Sequence, residues 1–124
     1  MGLLGITGSI VEYALDGLST RHAAIASNIA NANSVGYKPI RVSFEAQLAG
    51  VLATGGREAS ALSQGTLPPP QLSTELPVVD SLRRGALESE VVQLNQNTLQ
   101  YQVLVKGLDK YLSTLATAIS EGRR

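Results

Sequence analysis

Two stretches of the chain place apolar residues at alternating intervals of four and three. The first runs through Leu4, Gly8, Val11, Leu15, Leu18, His22, Ile25, Ile29 and Ala32. The second runs through Leu87, Val91, Leu94, Thr98, Tyr101, Val105, Leu108, Leu112, Leu115 and Ile119. This spacing keeps one stripe of a helix apolar, so it predicts long amphipathic helices over about residues 3–33 and 87–121. The second helix would span about 48 Å at ~1.5 Å per residue. Gly107 inside it is a local weakness of ~1 kcal/mol. The side chains expected to make the packing seam are Leu4, Val11, Leu15, Leu18, Ile25 and Ile29 on one helix. On the other they are Leu94, Tyr101, Val105, Leu108, Leu112, Leu115 and Ile119.

Between the two periodic stretches the pattern dissolves. All five prolines (Pro39, Pro68, Pro69, Pro70 and Pro77) and the pair Gly55-Gly56 fall there. Only Phe44–Ala53, "FEAQLAGVLA", has the composition of a short helix, and the rest reads as loop or extended chain. The expected organisation is an N-terminal helix in residues 1–33, an irregular middle in 34–86 and a C-terminal helix in 87–124. The fold class is mainly α, with the two end helices packed on each other like a coiled coil. Loop-closure cost grows only logarithmically with length, so the wide gap does not forbid that pairing. An irregular stretch of that size in a compact domain nevertheless points to a function or an outside partner.

Charge changes the picture, because both helices lack an ionic outer face. From Leu3 to Asn33 the only charged residues are Glu12, Asp16 and Arg21. From Val91 to Val105 there are none, and the polar positions are the amides Gln93, Asn95, Gln96, Asn97, Gln100 and Gln102. Val92, Leu99, Val103 and Leu104 widen the apolar surface beyond the seam. Either the amides solvate this face, or the face is buried between copies, where amides cost less to desolvate than ions. Ten basic and ten acidic residues give zero net charge, which suits association and offers no general attraction to nucleic acid or anionic membrane.

The first helix should end at "NIANANSVGYK", Asn28–Lys38. Asn33 and Gly36 both tolerate positive φ, and Asn33 and Ser34 can bond nearby backbone. The Tyr37 ring can pack while its hydroxyl finds a partner, and Pro39 disfavours helix at Lys38. On these grounds the stretch is a rigid, closely packed corner, or else an ordinary helix stop with a chance cluster of asparagines.

Candidate chemistry is sparse. The single histidine, His22, sits on the seam and reads as a packing residue. The chain has no cysteine, so thiolate metal sites and disulfides are excluded. Glu88 and Glu90 are two apart and do not share a helical face; their expected role is at the positive N-terminal end of the helix. No nucleophile elbow is readable, and "GREASALSQG" lacks the ending of a phosphate-binding loop. The four tyrosines are scattered without basic partners. No catalytic, cofactor or metal residue is therefore assigned. No apolar run is long enough for a transmembrane segment, and the first residues lack the positive start of a cleaved signal peptide.

"ASNIANANSVGYK", Ala26–Lys38, resembles the N-terminal signature of the bacterial flagellar axial proteins, which form the rod and hook. Within that family, "VSFEAQL" at Val42–Leu48 and "EVVQLNQNTLQYQVLVKGL" at Glu90–Leu108 resemble the basal-body proximal rod proteins of the FlgB type. The string expected of the companion FlgC type is absent. Two departures stand out: the turn reads Asn33-Ser34-Val35-Gly36, and "RRGALESE" replaces an Asn- and Asp-containing string before the last helix.

The resemblance implies a non-enzymatic structural subunit of the proximal rod. Its end helices would form a coiled-coil-like inner domain around the export channel, connecting the inner-membrane ring and rod base to the rest of the rod. The residues of its turn motif would be Asn28, Asn31, Asn33, Gly36 and Tyr37. Implied partners are other copies of the chain, other rod subunits, the rod-base adaptor with the inner-membrane ring, and the flagellar type III export apparatus. The implied location is the periplasmic rod of the basal body, reached without a cleaved signal peptide. The alternatives are another short rod subunit, of the FlgC type, or a soluble helical export adaptor or chaperone.

Overall fold

The computed structural model describes residues 2–53 and 67–122, with the side chains of residues 2–4 and 6 left aside. Helix α1 covers Gly2–Ala30, strand β1 Ile40–Ser43, helix α2 Glu45–Ala53 and strand β2 Gln71–Thr74. One 3-10 turn, Asp80–Leu82, leads directly into helix α3, Arg83–Gly122. At ~1.5 Å per residue, α1 is about 43 Å long and α3 about 60 Å. The chain is mainly α, with long helices at both ends and a small sheet between them.

Helix α1 stops three residues short of the expected Asn33. The Asn31 side chain turns back and donates from Nδ2 to the Ser27 carbonyl oxygen (2.9 Å), occupying an acceptor at the helix end. The Ala32 N–H reaches Ile29 rather than Asn28, tightening the last turn. Helix α3 begins four residues earlier than Leu87, because the 3-10 turn delivers the chain already in helical geometry at Arg83.

α1 and α3 pack antiparallel. Asn28 meets Glu90, and the Leu18 carbonyl meets Asn97. β1 lies against α1 and pairs with β2, with Ile40 opposite Thr74 and Ser43 opposite Gln71. The core sits where α1, β1 and the start of α2 converge. Ala14, Leu18, Ala24, Val42 and Phe44 are buried there, with Tyr13, Ile40, Leu48 and Leu104 packed around them. Gly17 permits this convergence. A Cβ at that position would lie 2.4–2.6 Å from the Phe44 ring, so a larger residue cannot sit beside Phe44 without moving it.

Only Glu90 and Asn97 are buried on α3. The half-buried residues along it include Arg83, Leu87, Leu94, Leu104, Leu108, Tyr111 and Leu115. Together these define the face toward α1, a four-three row that passes through residues 90, 97, 104 and 111.

Candidate assembly interface

The end of α1 is joined to β1 through one saturated side chain. Asn28 Nδ2 donates to the Ile40 carbonyl oxygen (3.0 Å) and to Glu90 Oε2 (3.3 Å). Asn28 Oδ1 accepts from the Ile40 N–H (2.8 Å) and from the Tyr37 hydroxyl (2.9 Å). Both amide hydrogens and both lone-pair directions are thus used. With its proton given to Asn28, Tyr37 leaves the Ser27 hydroxyl to donate to the Tyr37 oxygen (3.0 Å). Gly36 alone takes a left-handed conformation, at φ 77°, and no non-glycine residue among those described has positive φ. Asn33, expected to share that role, is simply exposed. The specification of the corner therefore resides in Asn28, Asn31, Gly36 and Tyr37, which tie the helix end to the strand that follows.

A charged cluster fastens the same corner to α3. Arg41 on β1 meets Glu90 through Nη2 to Oε1 (2.5 Å) and Nη1 to Oε2 (3.2 Å). It also reaches Glu75 through Nε (2.9 Å) and Gln93 through Nη1 (3.0 Å). Burial works against the Arg41 charge, but the bonds and charges of Glu75 and Glu90 outweigh it and raise its pKa. Glu90 is 5% exposed, so its carboxylate depends on Arg41 and Asn28 for the polar contacts that water would supply. It lies seven residues inside α3, so the role expected for it at the helix start does not apply; Glu88 remains exposed.

Phe44 is held from three sides. The Arg21 guanidinium lies 4.9 Å from its ring centre, Tyr13 meets it edge-on at 6.4 Å, and Gly17 admits its face. Arg21 also donates to the Val42 carbonyl oxygen (2.7 Å) and pairs with Glu45 (2.5 Å). Further along, Asn97 Nδ2 donates to the Leu18 carbonyl oxygen (2.8 Å) while Asn97 Oδ1 is buried without a hydrogen-bond partner.

The seam residues read from sequence divide between two environments. Leu18 and Ile25 are buried, and Val11, Leu15, Ile29, Leu94, Leu108 and Leu115 are half-buried. Tyr101, Val105, Leu112 and Ile119 are exposed. Leu4 belongs to α1, but its side chain lies outside the described residues. His22, expected on the seam, is exposed and lines an open groove with Leu18, Ser19, Thr98 and Tyr101. In each helix alternate positions of the packed row lie one residue before the expected ones. Ala14, Arg21 and Asn28 take the place of Leu15, His22 and Ile29, and Glu90, Asn97, Leu104 and Tyr111 that of Val91, Thr98, Val105 and Leu112. Polar seam positions cause the shift: Asn28, Glu90 and Asn97 find partners across the helix pair, whereas an apolarity pattern assigns them to solvent.

The displaced apolar row is left on the surface. Val91, Val105, Leu112 and Ile119 are exposed together with Val92, Leu99 and Val103. So much exposed apolar surface on one helix marks a contact surface. Among the described residues no acid, histidine or cysteine cluster is arranged to hold a metal ion, and no helix is long and apolar enough to cross a membrane.

Comparison with known proteins agrees with this geometry. The sequence model of the flagella basal body rod protein family matches residues 12–38, the span from mid-α1 through the Asn28–Tyr37 corner. The flagellar basal body rod protein FlgB of Cereibacter sphaeroides is 33% identical over 106 residues, covering 81% of this chain and 83% of that protein. No solved structure matches the chain. A helix pair with an exposed apolar outer face, the family's signature at its corner and a likeness to FlgB over four fifths of the chain (81%) together place this chain in the flagellar basal body rod protein family, as a rod protein of the FlgB type.

Proposed function

We propose that the chain is a subunit of the proximal rod, assembling by packing its end helices beside those of neighbouring subunits around the export channel. In this reading residues 1–33 and 87–124 form the inner, channel-facing part, and residues 34–86 reach toward neighbours and toward the inner-membrane ring and rod base. Its partners are further copies, other rod subunits, the rod-base adaptor and the flagellar type III export apparatus. It reaches the periplasm through that apparatus and acts as a structural part rather than a catalyst. One observation carries the reading: α3 exposes Val92, Leu99, Val103, Val105, Leu112 and Ile119 on a chain of a structural rod family. An apolar face of this kind finds dry surroundings only against other subunits.

The test is to purify basal bodies from motile cells carrying a tagged chain and its Leu112→Asp variant. The wild-type chain is expected in the rod fraction. The variant, altered at an exposed position, is expected to fold and to be missing from that fraction. A variant recovered in rods at wild-type level would contradict the packing role.

A further inference from the structure

The exposed side of each long helix carries its own four-three row. On α1 it is Glu12, Asp16, Ser19, Ala23, Ala26 and Ala30, every one exposed. On α3 it is Val92, Gln96, Leu99, Val103, Lys106 and Lys110, again every one exposed. Read in opposite directions, the two rows have the same spacing and complementary contents. Small side chains on α1 stand where α3 has large ones, and the two acids stand where α3 has its two lysines.

We propose that the outer face of α3 is covered by α1 of a second copy, in the antiparallel register that sets Ala23 against Leu99. The register then sets Asp16 against Lys106 and Glu12 against Lys110, with Ser19 facing Val103. The proposal rests on the rod reading above and names the surfaces that reading leaves open. Parallel packing in the matching row alignment would place both lysines against Ala26 and Ala30 and leave both acids against Val92 and Gln96, so the charges select the antiparallel direction. Small residues on one helix let the other approach closely enough for Leu99 and Val103 to be covered.

At 100° per residue, each row lies across its helix from the face that joins α1 to α3. The two rows thus occupy opposite flanks of the helix pair, and the contact is head-to-tail rather than two-fold. It also advances. The Leu18–Asn97 contact sets Ser19 near Gln96 of its own chain, and the Asn28–Glu90 contact sets it near Leu99; the neighbour's Ser19 meets Val103. Successive copies are displaced along α3 by one to two turns, roughly 6–10 Å. A repeated displacement does not close on itself and builds an open helical array. Each strip is about 27 Å long and ~10 Å wide, or about 270 Å² per partner. This is well below the ~800 Å² per partner of a stable complex, so single contacts leave free chains monomeric.

The chain has no cysteine, which makes disulfide mapping direct. Full-length chain carrying Ala23→Cys and Leu99→Cys is expressed in place of the wild type, and purified basal bodies are oxidised. The expected result is a ladder of cross-linked chains. The pair Ala23→Cys and Val92→Cys, one heptad out of register, gives none. Cross-linking within one chain is prevented because positions 23 and 99 face away from each other, and a disulfide needs Cα atoms within ~7 Å. In parallel, Asp16→Lys is expected to abolish swimming, and Asp16→Lys with Lys106→Asp to restore it. Double-cysteine chain present in rods but not cross-linked, or unaltered swimming of Asp16→Lys, overturns this register and leaves the rod reading intact. Absence of the unmodified chain from basal bodies overturns the rod reading and this register with it.

Discussion

The side chain of Asn28 bonds both backbone groups of Ile40, accepting its N–H at 2.8 Å and donating to its carbonyl oxygen at 3.0 Å. A helix side chain thereby acts as the missing neighbour of a strand. Asn28→Ala removes four hydrogen bonds at a buried site and should cost at least ~1–3 kcal/mol. Asn28→Asp should be worse, because it replaces both donors with an acceptor beside the Glu90 carboxylate. Urea unfolding followed by circular dichroism checks both changes; an Asn28→Asp midpoint equal to wild type would refute the clamp.

Gly17 should tolerate no side chain while Phe44 is present. Gly17→Ala is expected to destabilise by ~1–3 kcal/mol through overpacking. Adding Phe44→Leu should recover part of that loss, since the clash is with the ring. Additive effects in the double variant would show that the two positions do not meet as described.

Glu90→Leu leaves Arg41 with Glu75 and Gln93 but without its buried partner. The cost should be about 2–3 kcal/mol, below that of a fully buried pair because Arg41 retains solvent contact. Combining it with Arg41→Met should cost less than the two single changes together. A double-mutant cycle measures this coupling.

Asn97→Leu should be neutral or stabilising in the free chain. It removes a buried acceptor that has no partner, and the Leu18 carbonyl it releases lies within α1. A loss above ~1 kcal/mol on thermal melting would mean that Asn97 Oδ1 is satisfied in solution.

Glu45 gives a pH signature. Burial raises its pKa, but the Phe44 N–H and Arg21 outweigh that and hold its carboxyl below the ordinary carboxylate range. A depressed folded value means the contribution is present above the unfolded pKa and is lost as pH falls through the folded one. The side chain is half exposed, so solvent screening limits the effect to below about 1 kcal/mol. Glu45→Gln should lessen the acid loss of stability relative to wild type, and identical pH profiles would contradict the assignment.

Much of the fold is legible in the apolar spacing: both long helices, the short helix before Ala53 and the break at the asparagine-rich corner. Residues 87, 94, 108 and 115 are common to the expected and packed rows of α3. The alternate positions were not legible, because a pattern of apolarity selects Val91 and Leu112 over Glu90 and Tyr111 and does not separate Val105 from Leu104. Only the three-dimensional partners of Glu90 and Asn97, namely Arg41, Asn28 and the Leu18 carbonyl, turn a polar row inward. The same partners leave the greasier row outside, where assembly can use it. A small sheet was likewise hidden, since Gln71–Thr74 is exposed throughout and gains its order from pairing with Ile40–Ser43.

The central claim is that subunit neighbours cover the exposed apolar outer side of α3. It is tested most directly by placing a lone thiol at the middle of that side, as Leu99→Cys, and measuring its reaction with a maleimide in free protein and in intact basal bodies. Covering by neighbours predicts rapid labelling of the free chain and strong protection in the rod. Equal labelling in both states would show that this face stays in water in the working structure.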